Sequence, residues 1–528
     1  MRARTAVLAL MLTAVLGPAA YAPGHAAPHS PSAGTAEWIP VRDPIQDEFE
    51  LLRASGLADT SITVYTRPLD RRTVAAVTAR ARRLHPESRD PSLVRLERAF
   101  GRELVDWGYP APAGYTPPLA IVTDPGDPDG MRARIFGYAE GALVSTRDLS
   151  QFEDRSRFGG RLNLETGGLL LHLDAYAGRV VNGRNFSDQL VTGSDFIAYS
   201  EDTYGSLAGH GLDASLGRIG YAWGPGRTGS LLWSETADPV TALNLGATLF
   251  GRVRATALAG DIDASRGARI AGHRLEWFPS PRLTIGLAEA ARYSSTRWEP
   301  LYLVPLLPYT WVQRILAHDQ LGGSGPGADI RNNVMAAIDA SWRARPGTLL
   351  YGEFLLDDQG LRISGSPTRI GYQGGVLATR GAGASRWTGR LEYTRVYRYV
   401  YSVFYGADFI HHDKPIGYPA GPDSRGLFAE ARLAPSAALE FALSGAQQDQ
   451  GEGGLGQFFN PDSSAAQGSL LSGVVERTRT LGAEARWWPR DGVDLSASLE
   501  RDWRTNAGHV EGAGARRWAL RVGARLHR

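Results

Sequence analysis

The most constraining feature of this chain is a two-residue alternation of apolar and polar side chains that recurs up to its end. In residues 493–500, Val493, Leu495, Ala497 and Leu499 alternate with Asp494, Ser496, Ser498 and Glu500. In the final stretch, Trp518, Leu520, Val522, Ala524 and Leu526 alternate with Ala519, Arg521, Gly523 and Arg525. Successive side chains of a strand point to opposite faces, so each run has one greasy face and one charged or small face. A soluble sandwich produces that pattern as well. A chain of 528 residues that carries it from about residue 131 onward is better suited to a membrane barrel, whose strands run apolar outside and polar inside.

The same period recurs at Leu162/Leu164, Leu169/Leu171/Leu173, Leu283/Ile285/Leu287, Val334/Ala336/Ile338/Ala340/Trp342, Leu427/Ala429/Ala431/Leu433 and Leu481/Ala483/Ala485/Trp487. Roughly sixteen to eighteen such runs can be traced, each about the ten residues that a tilted spanning strand needs. Short Pro- or Gly-containing turns, such as Arg345-Pro346-Gly347 and Pro489-Arg490-Asp491-Gly492, interleave with long segments at 178–209, 224–239, 294–331, 398–425 and 447–479. Short turns at one rim and long loops at the other are the pattern of a bacterial outer-membrane barrel. The fold expected is an all-β transmembrane antiparallel β-barrel over residues 131–528.

The N-terminus reads differently. Residues 1–27 have a charged start (Arg2, Arg4), an apolar run from Ala6 to Leu16 and small residues from Ala19 to Ala27, the layout of a secretory signal peptide. Residues 40–108 show helical periodicity. Asp43-Pro44, Asp70 and Asp90-Pro91 supply helix starts, with Gln46 placed for a capping box, and Gly56, Pro86 and Gly108 supply stops. A small α-helical bundle is expected there, followed by a Pro/Gly-rich linker over 109–130.

Composition excludes several function classes. There is no cysteine and the net charge is +2, so thiol chemistry and Cys-ligated metals are unavailable and no nucleic-acid partner is indicated. Nearly all the basic charge is arginine; Lys414 is the only lysine. No H-E-x-x-H, G-x-S-x-G or Walker lysine is present, so no catalytic residue, cofactor or metal site is expected. His411-His412-Asp413 is the nearest thing to a metal cluster and reads as solvated loop histidines. His172 and Asp174 share the polar face of one run and read as lumen wall.

Charged residues follow the polar faces: Arg252 and Arg254, Arg274 and Glu276, Glu430 and Arg432, Glu484 and Arg486, Arg521 and Arg525. Such residues either form ion-pair ladders across the lumen or line an anion-conducting pore. Tyrosines 393, 397, 399, 401 and 405 share parity and suit an interfacial girdle or, with Arg395 and Arg398, a stacking platform for sugar rings. The aromatic stretch 298–311 contains Pro300, Pro305 and Pro308, which rule out a central strand; it suits a packed loop that binds glycan or plugs the mouth. The candidate glycan-binding residues are Trp298, Tyr302, Tyr309, Trp311, Arg398 and Tyr399.

Several stretches resemble one known family. The helical start, a leucine-rich helix followed by an extended connector and Arg67-Pro68-Leu69, is similar to the N-terminus of Wzi-type capsule assembly proteins. So is the stretch containing Trp223, Gly224, Pro225, Gly226 and Ser230. Asp329, Arg331, Tyr351 and Asp357 fall in a similar spaced acidic and Tyr-Gly pattern. The likeness covers nearly the whole mature chain, and the sequence departs from the pattern at Ala222, which precedes Trp223, and in ending on His527-Arg528. As a distant member, the chain would be an outer-membrane barrel of about 18 strands with a periplasmic helical bundle. It would act as a non-enzymatic lectin that retains capsular or extracellular polysaccharide, its other contact being outer-membrane lipid. The helices also resemble an S-layer homology module. That reading makes the protein a porin anchored to peptidoglycan or another wall polymer.

Overall fold

The computed structural model describes residues 37–527 apart from 59–60, 123–129, 148–150, 155, 180–195, 201, 210, 296–297, 305–306, 321–331, 358–368, 404–406 and 458–470; the expected signal peptide lies outside the described residues. Eighteen antiparallel strands form a closed barrel. The first, Arg132–Arg147, pairs with the last, Gly514–His527, in a register running from Leu520↔Ser145 to His527↔Tyr138. Within the stretch 109–130, Leu119–Val122 forms a short strand that pairs with Ile135 to Arg132 and extends this seam. Within the expected 178–209 segment, Phe196–Tyr199 pairs with the strand Leu169–Arg179 and Thr203–Gly209 is a barrel strand. Its Gly205, Ser206 and Ala208 are too small to show an alternation.

Side-chain direction follows the period. Leu287, Ile338, Trp342, Leu481, Trp487 and Val522 are exposed on the outer surface, which in a membrane barrel meets acyl chains. Between them on the strand Asn332–Arg345, Asp339, Ser341 and Arg343 turn inward and are buried. Arg525 pairs with Glu140, placing the odd-numbered arginines of the last strand on the lumenal face. One of the expected lumenal arginines is elsewhere: Arg252 sits exposed in the turn between Val240–Leu249 and Val253–Asp263. The backbone leaves the strand before reaching it.

Among the described residues, four helices precede the barrel: α1 (Ile45–Ser55), α2 (Arg71–Leu84), α3 (Pro91–Ala99) and α4 (Gly101–Asp106). Asp70 and Asp90 cap α2 and α3 by accepting from the backbone N–H groups two and three residues on, satisfying otherwise orphaned donors. Asp43 accepts from the Ile45 N–H, whereas Gln46 donates to the Ile39 and Pro40 carbonyls and makes no capping box. Phe49, Leu52, Val74, Leu93, Leu96 and Phe100 form the helical core. The helices lie against the rim of short turns: Gly347 N–H donates to Ala54 O, and Arg95 Nε to Ala437 O.

Candidate functional site

The segment between the strands Leu212–Ile219 and Val240–Leu249 folds into the barrel instead of standing over its rim. Tyr221, Trp223, Leu231, Leu232 and Trp233 are 2 % exposed or less. They form one apolar cluster with wall residues such as Ile270, Ala288, Met335 and Leu355, and with Tyr401, Phe409, Ile416 and Tyr418 of a second inward loop. An irregular loop buried this way carries backbone N–H groups that no ladder satisfies, and each must find a partner.

Carboxylates on the barrel wall take these donors. Glu353 accepts from the Leu231 and Leu232 N–H groups at 3.0 and 3.2 Å. Glu392 accepts from the Arg227 and Thr228 N–H groups at 2.7 and 2.9 Å, and from the Tyr351 hydroxyl at 2.8 Å. Asp357 accepts from the Tyr401 N–H at 2.6 Å. Glu276 does the same for the connector before α2, accepting from the Val64 and Tyr65 N–H groups and from the Thr63 and Thr66 hydroxyls. Leaving a buried donor of this kind unpaired costs roughly 1–3 kcal/mol, so these side chains fix which loop segment sits where.

The glycines of the Trp-Gly-Pro-Gly stretch permit the close approach. Gly224 has φ +125°, donates to Tyr65 O, and a Cβ there would stand 2.7 Å from Glu353 Oε2. At Gly226 a Cβ would collide with Gln373 Oε1 and stand 2.6 Å from Gly229 O. Trp223 and Ser230 are each 1 % exposed. These residues therefore build the lumenal filling, and Tyr351 and Asp357 belong to the wall strand Thr348–Asp357 that faces it. Pro225 is buried with them, while Asp329 and Arg331 lie outside the described residues.

The candidate glycan residues fall into two groups at the rim of long loops. Tyr302 and Tyr309 are fully buried: Tyr302 stacks on Tyr293 with centroids 4.6 Å apart, and the Tyr309 hydroxyl donates to Tyr302 O. Trp298 Nε1 donates to Asp261. Trp311, on the helix Tyr309–Gln320, is 58 % exposed. In the second group Arg398 lies over the Tyr399 ring at 5.0 Å. The two groups are joined by adjacent residues, for Asn332 donates to the Tyr302 hydroxyl and Asn333 to Tyr401 O.

The shared tyrosine parity does not persist. Tyr393 is exposed on the outer face beside Tyr372, but the strand ends at Val396. Tyr399 and Tyr401 adopt positive φ and turn into the core. Tyr405 lies outside the described residues.

The charged faces pair as ladders. Arg274 meets Asp339 at 2.5 Å, Arg254 meets Asp213 at 2.5 Å and Arg134 meets Glu165 at 2.9 Å. His172 and Asp174 do face the lumen but have separate partners, Asn163 for the former and Tyr138 and Arg161 for the latter. His411 is not a solvated loop residue: it is 3 % exposed and stacks on His412.

The Wzi capsule assembly family model matches residues 150–516. The chain belongs to this family. No curated protein matches it. Among solved structures it is similar to Wzi of Escherichia coli, at 16 % identity and a TM-score of 0.61, covering 94 % of this chain and 99 % of that one. That protein is described as an outer-membrane, carbohydrate-binding β-barrel involved in group 1 capsule assembly. OccD3 (OpdP) and OprD of Pseudomonas aeruginosa match at 11 % identity with TM-scores of 0.44, covering 79 % and 75 % of this chain and 95 % of each of theirs. Family and fold together make this Wzi-family member an outer-membrane β-barrel. Sequence reasoning did not single out Glu392 or assign a role to Glu353. The Glu353 carboxylate is 122 residues from the N–H it accepts, and no local pattern marks such a pair.

Proposed function

We propose that this Wzi-family barrel is a non-enzymatic lectin that binds capsular or other extracellular polysaccharide at its rim of long loops and retains it on the cell surface. The observation that carries this reading is the inward-folded pair of loops, which occupies the lumen with Trp223, Trp233, Tyr401 and Phe409. The contact surface left to a polymer is the outer rim, where Trp311 is exposed and the half-buried Arg398 covers the buried Tyr399 ring. Aromatic faces and guanidinium groups are the chemistry that holds sugar rings and their acidic substituents. The carbohydrate binding described for the Escherichia coli protein supports the same reading.

Contacts of the helices with the short-turn rim support a periplasmic position for them. Arg95 and Glu48, Glu50 and Asp90 are engaged with one another or with the barrel wall, which favours a plug over a wall anchor. A porin would need the lumenal arginines free, yet Arg254, Arg274 and Arg432 are paired.

The test is binding of the producing organism's extracellular polysaccharide by the purified full-length protein, with and without the 295–320 and 397–423 loops. Loop-dependent binding is expected. No binding, or a deletion strain whose polysaccharide stays fully cell-attached, would end the proposal.

A further inference from the structure

The two inward loops meet at a point that neither the ladders nor the rim aromatics explain. His411 and Lys414 pair as the ends of a two-residue hairpin whose central residues, His412 and Asp413, have φ values of +48° and +60°. Two consecutive left-handed residues are the conformation of a tight hairpin turn of the primed type. On an extended strand adjacent side chains would point apart. Here the turn brings the rings of His411 and His412 into a stack with centroids 4.1 Å apart.

Asp238, from the end of the other inward loop, is 6 % exposed and faces the same pair. Its Oδ2 lies 3.0 Å from His412 Nδ1. One ring nitrogen of each histidine and one carboxylate oxygen lie within 4.8 Å of one another. His411 is 3 % exposed and its Nδ1 finds no hydrogen-bond partner among the described residues. A buried imidazole nitrogen without a partner is costly unless something else takes its lone pair or proton.

From this convergence we propose that Asp238, His411 and His412 form a binding site for a divalent transition-metal ion of borderline softness, represented by Zn2+, which fastens the two inward loops to each other. Imidazole and carboxylate ligands hold Zn2+ at about 2.0–2.2 Å, which puts tetrahedral ligand atoms about 3.4 Å apart. The ligand atoms now lie within 4.8 Å of one another, so the set must draw together on binding, and the more exposed His412 ring is the member with room to move. Lys414 Nζ is 3.5 Å from the other carboxylate oxygen, Asp238 Oδ1, so it orients the carboxylate as a second-shell partner does while Oδ2 serves the ion. Three protein ligands leave a fourth position for water or a ligand oxygen. Imidazole suits Zn2+, whereas Ca2+ and Mg2+ prefer all-oxygen sets.

The experiment uses full-length protein in detergent, without a polyhistidine tag and stripped with chelator, in equilibrium dialysis against Zn2+ with the bound metal measured by elemental analysis. About one equivalent is expected for the native protein and for the control His85→Ala. His411→Ala, Asp238→Asn and His412→Ala should each weaken binding at least about tenfold, as loss of a ligand does at such sites. Barrel folding is checked by heat-modifiable gel migration. His412 carries the most exposed ring, so H412A decides the matter if either buried variant does not fold. Absence of stoichiometric Zn2+ in the native protein, or equal affinity in folded H412A, overturns the proposal.

Discussion

Arg390 on the barrel wall and Glu50 on α1 meet at 2.5 Å, both side chains about 5 % exposed or less. Burial would raise the Glu50 carboxyl, but the Arg390 guanidinium beside it holds it below the usual carboxylate range. The helical module and the wall strand Ser385–Val396 are thus joined by a buried charge pair.

Removing one partner of that pair leaves the other buried and uncompensated, which costs about 3–5 kcal/mol. Arg390→Ala should therefore release α1 from the wall, and Glu50→Gln combined with it should recover part of the loss. Amide exchange over residues 45–55 reads the effect. Unchanged protection in R390A would show that the pair does not dock the helix.

Glu353→Ala strands the Leu231 and Leu232 N–H groups inside the barrel, at roughly 1–3 kcal/mol for an unmade buried hydrogen bond. Faster exchange at those two amides, with the outer strands unaffected, is the expected result. Exchange as slow as in the native protein would mean that the wall carboxylate does not hold the loop.

At Gly226 any side chain meets Gln373 and the Gly229 carbonyl. Gly226→Val should displace the filling at about 1–3 kcal/mol, the range for overpacking, and shift Trp223 and Trp233 emission to the red. Planar-bilayer recording should find little steady conductance in the native protein and more in G226V. A large steady conductance in the native barrel would contradict a filled lumen.

Acid should loosen the helical module. Burial would raise the Glu37 carboxyl, but Arg102 and Arg71 hold it down at about 2 against an ordinary 4.5; Glu48 and Glu103 are lowered in the same sense by Arg95 and by Arg102 respectively, against burial. A depressed carboxylate contributes stability that is complete above pH 4.5 and is lost as pH falls through its folded value. Proteolysis of residues 40–108 by an acid-tolerant protease should accelerate between pH 4.5 and 2. A flat profile across that window would exclude these pairs as the determinant.

Trp311→Ala removes the most exposed aromatic of the candidate glycan set, whereas Tyr302→Ala removes a buried one. If polysaccharide is held by stacking at the rim, W311A and Arg398→Ala should each weaken binding several-fold with no change in thermal stability. Y302A should instead lower stability, by about 3–5 kcal/mol for a large buried aromatic. Full binding by a W311A/R398A double variant would move the site elsewhere on the rim.

The barrel was legible because its information is local. Alternation within a run of ten residues fixes which side chain faces out, as Ile338 and Trp342 do, and turn residues such as Pro346-Gly347 mark the short rim. The helix starts at Asp70 and Asp90 were legible for the same reason, since a cap is read within three residues. The strand Thr203–Gly209 escaped because small side chains carry no contrast, and the tyrosine stripe misled beyond Val396 because parity holds only while the backbone stays extended.

What fills the barrel was decided by tertiary structure. Nothing near Leu231 says that its N–H will meet Glu353, and nothing near His411 says that Asp238 will lie beside it. These contacts join residues more than a hundred positions apart. They form because a closed wall offers buried carboxylates to whichever loop can bring unpaired backbone donors within reach. Sequence alone determined most of the strands with their faces and turns, and the family. Closure of the barrel selected the loops that enter it, since only a completed lumen excludes water enough to make those pairings obligatory.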